Sequence, residues 1–293
     1  MLWVSVAVFT AVLAGLCIGL IRGIRNRSRS DRILPSEAAL SRSVAVAVAL
    51  TAGLLTILLA LSVWTGRTIG ALHADSAVTI AITGHQWWWE IQYEDGVPSQ
   101  RVVTANELHL PINRPVVLKV TSRDVIHSFW VPNLQGKRDL IPGYTTAVWV
   151  RADRPGVFRG QCAEFCGLQH AHMALEVVAE SDHDFDGWLA AMRPPARDPP
   201  DALQRRGRDV FMQARCPGCH TIRGTDAAGQ VAPDLTHLAS RRTLGAGTLP
   251  NTSEHLARWI QDPQRVKPGN QMPPHPLEAG DLGALVAYLE TLR

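Results

Sequence analysis

Charge is scarce in this chain. Only 19% of its 293 residues are Asp, Glu, Lys or Arg, and neither sign prevails: 29 basic residues face 26 acidic ones, for a formal net charge of +3. That balance excludes a disordered acidic or basic tail protein. It also argues against a nucleic-acid binder, which needs a basic excess gathered on one face. Cysteine is sparse as well, with five in the whole chain. The mean hydropathy of +0.01 is close to neutral. A neutral mean can be uniform, or it can average an apolar part with a polar part, and the distribution along the chain shows the second.

Charge is missing altogether from Leu2 to Ile21 and again from Ser43 to Gly66. Each run is long enough, at about 1.5 Å per residue, to cross about 30 Å of hydrocarbon. Trp3 and Trp64 stand near run ends, where aromatic side chains favour the membrane interface. The spacing predicts a transmembrane hairpin over residues 1–70, with helices at about 2–21 and 43–65 and a loop at 22–42. Arg22, Arg25, Arg27, Arg29, Arg32 and Arg42 oppose only Asp31 and Glu37 in that connecting region. This excess puts the loop in the cytoplasm and everything after Arg67 outside it. A signal peptide fits poorly, because no basic residue precedes the first apolar run and no small-residue cleavage site follows cleanly. Leu16 is too large for a lipoprotein site before Cys17, so Cys17 reads as a buried membrane thiol.

Beyond the hairpin the chain turns to short alternating runs. Val78–Ile82, Pro115–Val120, Thr145–Val150 and Ala174–Val178 read as strands, separated by turn pairs Asp95-Gly96, Pro142-Gly143 and Pro155-Gly156. With no helical crossovers, a β-sandwich or barrel is expected over residues 71–192. Residues 193–200 hold four prolines in eight positions, an extended semi-rigid linker. From 201 to 293 the pattern is helical at both ends, Ala202–Ala214 and Asp281–Leu292, with long loops between. About 90 residues of this kind hold little core, a gap that a bound cofactor would fill.

That last segment opens with Cys216-Pro217-Gly218-Cys219-His220. Two thiols three positions apart can form thioethers to a haem, and the adjacent histidine can coordinate its iron. A thioredoxin-like pair would need a βαβ setting, and a zinc site would need a second ligand pair. Met272, in a stiff Pro- and Gly-bearing loop, is the candidate sixth ligand, with His275 and Met212 as alternatives. Pro233 would lie on the histidine side, and Ile222 and Trp259 would pack against the ring.

The β segment carries a second constellation. Cys162-Ala163-Glu164-Phe165-Cys166-Gly167-Leu168-Gln169-His170-Ala171-His172-Met173 crowds soft and borderline ligands into twelve residues, and His127 stands upstream on a separate strand. Thiolate, imidazole and thioether together select copper. Two thiolates four positions apart can bridge two coppers, each also holding one imidazole. The rival readings are a Cys162–Cys166 disulfide and a zinc site, for which Met173 would be an odd companion.

These residues resemble subunit II of the haem–copper cytochrome c oxidases over 1–185, and residues 201–293 resemble a class I cytochrome c. Together they are similar to the bacterial subunit II with a fused cytochrome c domain. The resemblance implies a two-helix hairpin, a cupredoxin-like β-sandwich and an all-α cytochrome domain. It implies that Cys162 and Cys166 bridge a dinuclear copper-A centre, with His127, His170, a weakly bound Met173 and the Glu164 carbonyl completing it. The Glu164 side chain would touch magnesium shared with subunit I. Covalent haem c would be held by Cys216, Cys219, His220 and Met272. Gly84-His85-Gln86-Trp87-Trp88-Trp89 resembles the family's aromatic stretch, which implies that Trp87 takes electrons from docked cytochrome c. Gly136–Gly143 resembles a signature at the subunit I interface. Glu37 falls near a family glutamate of a proton path, though as a loop residue ahead of the second helix.

Neither apolar run holds a histidine, and there is no second haem signature. Oxygen chemistry would therefore belong to a partner subunit. The expected function is an electron relay from an external c-type cytochrome, through haem c and copper, to subunit I of an oxygen reductase with subunit III. It would sit in a bacterial cell membrane with both outer domains outside, in contact with lipid and not with nucleic acid. A free-standing shuttle or copper-handling protein would be found without a haem–copper partner, and a nitric oxide reductase would differ only in acceptor chemistry.

Overall fold

The two uncharged stretches form two long helices, α1 (Leu2–Arg25) and α2 (Glu37–Gly70), in a computed structural model that describes residues 2–25, 36–70, 78–94 and 101–293. Arg27, Arg29, Asp31, Arg32 and the Asp95-Gly96 turn lie outside the described residues. Both helices exceed the apolar runs, because bilayer thickness limits hydrophobic length and not backbone hydrogen bonding. Arg22 and Arg25 prolong α1 at its C-terminal end, where cations suit the helix dipole. Ser36 starts α2 by accepting the Ala39 amide at 3.3 Å. Glu37, expected in a loop, is therefore the first residue of the second helix. Apolar side chains such as Phe9 (65% exposed) and Leu50 (70%) stand bare along both helices. Thr10, Thr56 and Thr65 each donate their hydroxyl to the carbonyl four residues back at 2.8 Å, so these polar groups need no water. Both helices are long and apolar enough to cross a membrane.

The chain falls into two units, Met1–Ala71 and Leu72–Arg293. Among the described residues, the second begins with ten strands: β1 (Val78–His85), β2 (Trp88–Glu94), β3 (Val102–Ala105), β4 (Glu107–Pro111), β5 (Val116–Ser122), β6 (His127–Trp130), β7 (Arg138–Leu140), β8 (Thr146–Val150), β9 (Gly156–Cys162) and β10 (Ala174–Glu180). They form two five-stranded sheets, ordered β3-β2-β1-β5-β8 and β4-β10-β9-β6-β7. Most neighbours are antiparallel, while β1–β5 and β4–β10 are parallel. Period-two alternation sends Ile80, Ile82, Trp89, Ile91, Leu118 and Val120 inward from one sheet and Leu108, Leu110, Leu175 and Val177 from the other, closing a cupredoxin-like sandwich.

A helix, α3 (Asp182–Met192), follows in a region where the sequence pattern predicts strands alone. Its cap is the Ser181 hydroxyl, which accepts the Asp184 amide at 3.1 Å. Phe185 is its buried anchor, 6.2 Å from the Tyr93 ring.

The last part is helical apart from one two-stranded hairpin, in keeping with the all-α domain that the resemblance implies. It comprises α4 (Ala202–Gln213), a short hairpin of β11 (Thr243–Leu244) and β12 (Leu249–Pro250), α5 (Ser253–Gln261), α6 (Pro263–Val266) and α7 (Ala279–Leu289). α5 and α6 occupy a stretch that the pattern predicts as loop. α4 meets α7 at Gly207, where a Cβ would lie 1.9 Å from the Ala284 carbonyl oxygen. Phe211 and Tyr288 meet edge to face at 6.2 Å across the same contact.

The proline-rich segment is not a free tether. Arg223 donates to the carbonyls of Met192 (2.6 Å) and Arg193 (2.8 Å), and Ala196 donates to the Arg223 carbonyl at 2.8 Å. Prolines lack the N–H but keep the carbonyl, and His237 Nε2 meets that of Pro194 at 3.2 Å.

Candidate functional site

His127 opens β6 and is fully buried. Gly84 on β1 makes room for it, because a Cβ there would come within 2.7 Å of the imidazole. Nε2 of His127 meets Asp124 Oδ1 at 2.8 Å, which leaves Nδ1 facing the Cys162 sulfur at 3.9 Å. Cys162 ends β9, and the following turn returns Cys166 to 3.8 Å between sulfurs. His170 Nδ1 lies 3.5 Å from the Cys166 sulfur, and the Met173 sulfur 3.8 Å from it. The Glu164 carbonyl oxygen lies 3.3 Å from the Cys162 sulfur. Cysteine, histidine and methionine donors thus converge on one buried point.

Both thiols are free, so the pair is not a disulfide. Their contact divides one proton between them. Cys162 is brought down to about 3, first by the Cys166 contact and against its burial. Cys166 is pushed up by the same contact and by burial. Burial disfavours charge on His127, but its bonds to Asp124 and Cys162 prevail and raise it. Burial likewise opposes ionisation of Asp124, and the His127 ring with the Val125 and Gln86 amides holds its carboxyl below the usual range. A set of two sulfurs, two imidazoles, a thioether and a carbonyl suits a pair of soft or borderline ions. Among the described residues, His127, Cys162 and Cys166 have ligand atoms within 4.8 Å of one another.

The carbonyl of Cys166 is a junction. It accepts from Gln86 Nε2 at 2.8 Å and from the Trp87 indole at 2.9 Å. Trp87 is only 8% exposed. The sequence pattern does not single out Asp124, Gln86 or Gly84 as site residues. A carboxylate three residues before a candidate histidine ligand is the available signal for Asp124.

In the last part, a 3₁₀ turn at Cys216–Gly218 brings the His220 amide to the Cys216 carbonyl at 3.0 Å. Burial lowers the His220 imidazole and so favours its neutral form, and its Nδ1 donates to the Pro233 carbonyl at 2.8 Å. Nε2 keeps the lone pair a metal would take. Pro233 thus lies against the His220 ring. Ile222 is fully buried, and Trp259 is half-buried. The Met272 loop is stitched by amide side chains: Gln264 Nε2 donates to the carbonyls of Asn270 (2.7 Å) and Met272 (3.0 Å), and Asn270 Oδ1 accepts the Met272 amide at 2.8 Å. Two thiols beside a neutral, oriented imidazole fit a haem.

Residues 96–181 match the family described as cytochrome c oxidase subunit II, periplasmic domain, and residues 204–293 match cytochrome c. Cytochrome c oxidase subunit 2 of Alkalihalophilus pseudofirmus is 40% identical over 220 residues, covering 75% of this chain and 62% of that one. That of Bacillus sp. strain PS3 is 33% identical over 74% of this chain and 63% of that one. The alternative subunit 2 of Bradyrhizobium diazoefficiens is 30% identical over 64% of this chain and 76% of that one. The crystal structure of the periplasmic domain of subunit II from Bradyrhizobium japonicum is 31% identical, with a TM-score of 0.38, covering 41% of this chain and 96% of that one. The chain spans 62–64% of the length of the first three curated relatives it matches. A cytochrome c domain implies haem, and a subunit II periplasmic domain implies copper-A. On these matches, the chain belongs to the cytochrome c oxidase subunit 2 family.

Proposed function

We propose that this chain is the electron-input subunit of a membrane haem–copper oxygen reductase. One observation carries the reading: a buried two-cysteine, two-histidine, methionine cluster and a Cys-x-x-Cys-His haem segment lie in one compact unit. Copper-A and haem c, when bound, are each one-electron carriers. Cys162, Cys166, His127, His170, Met173 and the Glu164 carbonyl would together hold the two coppers. The Glu164 side chain takes magnesium at the subunit I interface. Cys216 and Cys219 would hold the haem covalently, and His220 and Met272 would be the residues offered to its iron.

The chain's residues hold this geometry rigid. Asp124 fixes the His127 ring, Pro233 fixes His220, and Gln264 with Asn270 fixes the Met272 loop. Trp87 joins the copper side through its indole bond to the Cys166 carbonyl. Its low exposure supports the fused domain, and not a free cytochrome c, as the neighbour that delivers electrons there. We divide the chain into an anchor (1–70), a copper domain (71–192), a linker (193–200) and a haem domain (201–293). The anchor docks in the membrane on subunit I, with subunit III and lipid around it, and both outer domains face away from the cytoplasm. An external c-type cytochrome donates to the haem domain, and oxygen is reduced in subunit I.

A reduced-minus-oxidised spectrum of the purified complex tests the assignment. Bands of haem c and of copper-A in the near infrared, together with a second haem from a partner and oxygen uptake, are expected. Nitric oxide uptake without oxygen uptake would replace the acceptor. A lone subunit carrying both bands would replace the complex by an anchored shuttle.

A further inference from the structure

The loop that carries Met272 is joined to the copper-side ligand loop at two points. Lys267 is 2% exposed. Its ammonium donates to the main-chain carbonyl of Trp87 at 2.7 Å and to that of Gly245 at 3.0 Å. Trp87 in turn donates to the Cys166 carbonyl. The second point is Gln169, next in sequence to His170. Its Nε2 donates to the Pro268 carbonyl at 2.7 Å, while its Oε1 meets His172 Nδ1 at 2.8 Å, which sets the direction of the amide. Gly269 completes the approach: a Cβ on it would lie 3.0 Å from the Leu168 side chain.

An ammonium buried on carbonyls alone is costly. Desolvation brings Lys267 down to about 7. An apolar side chain of the same length would fill that space without the desolvation cost. What only Lys267 supplies is a set of donors that ties the peptide of Trp87 to the segment five residues before Met272. Bonded and hydrogen-bonded routes carry electronic coupling further than empty gaps do, so a fixed contact of this kind sets how well the two sides communicate.

We propose that Lys267 is a positioning residue, pinning the Met272 loop with Gln169 onto the Trp87–Cys166 contact so that one electron crosses there. The proposal rests on the reading of the chain as a haem-to-copper relay. The haem side is oxidised by one electron and the copper side is reduced by one, with no bond made and no proton moved.

Lys267→Met in the full chain of the purified complex is the test. The haem and copper bands should stay unchanged, while the rate of electron passage after flash reduction of the haem falls about tenfold, the factor expected for losing one buried hydrogen bond from a docking equilibrium. Amide exchange over residues 267–272 should rise about as much in the cofactor-free chain, which reads the contact without either group. Lys267→Gln, with a shorter neutral donor, should change both less, and it gives the same comparison if the methionine variant does not fold. An unmoved transfer rate, with or without faster exchange, would overturn the proposal alone. A wild-type chain lacking either band would overturn the relay reading with it.

Discussion

Cys162 and Cys166 divide one proton, and each faces an imidazole nitrogen. A metal pair would displace that proton and use both sulfurs, so neither cysteine is replaceable by its oxygen analogue. Cys162→Ser should abolish the near-infrared copper absorbance while the haem spectrum persists; a surviving copper band would end the bridging assignment. Asp124 acts one step further out. Its carboxylate holds Nε2 of His127 at 2.8 Å and thereby turns Nδ1 toward the sulfur. Asp124→Asn keeps the size but loses the charge that orients the ring. Loss of such an orienting partner weakens metal binding by about 10- to 100-fold. Competition against a copper chelator reads this directly, and wild-type affinity would reduce Asp124 to a structural acceptor.

At the scale of elements, glycine placement distinguishes helix faces that pack from helix faces that meet solvent. Gly207 on α4 lies against the Ala284 carbonyl of α7, and any Cβ there collides with backbone that cannot swing aside. Gly207→Ala should cost about 1–3 kcal/mol by overpacking, despite the better helix propensity of alanine. A methyl group added at Gly187 on α3 would meet nothing within 4 Å. There the same change should stabilise by about 0.5–1 kcal/mol. Thermal unfolding of the two variants checks the opposite signs. The elements also mark what the sequence could reveal. Missing charge exposes the two long N-terminal helices, and periodicity exposes the alternating strands and the terminal helices α4 and α7, each of which keeps one period over a full element. It misses α3, whose signals are a single Ser181 cap and an acidic first turn, and it shortens α2, since Glu37 and Arg42 are helical without being apolar. The ligand spacing from Cys162 to Met173 is legible because it is local. The Lys267–Trp87 contact is not, because it joins residues 180 positions apart.

Across the second unit, the sandwich and the helical part are also joined by a buried titratable group, His109. His109 meets Glu180 through Nδ1 at 2.7 Å and Glu107 through Nε2 at 3.1 Å, with Trp188 stacked on its ring at 3.9 Å. The second oxygen of Glu107 accepts the Arg242 amide from the haem side at 2.9 Å, and the Arg242 guanidinium meets Glu176 at 2.9 Å. Arg241 bears on Glu107 from the same segment, and the Tyr93 hydroxyl accepts the His109 amide at 2.7 Å. Burial disfavours charge on His109, but the two carboxylates prevail and raise it above 6.5. A raised histidine contributes stability that is fully present below pH 6.5 and fades as pH climbs through the raised value. Lys267 has the opposite sign: burial lowers it from 10.5 to about 7, so its contribution grows as pH rises through that window. The two slopes overlap above neutrality, so the difference between wild type and His109→Gln isolates the histidine. Denaturant unfolding of the outer unit should show the wild type ahead of the variant at pH 6, with the gap narrowing steadily toward alkaline pH. A gap that stayed constant with pH would mean that His109 holds the joint as a neutral ring, with its carboxylates satisfied from elsewhere.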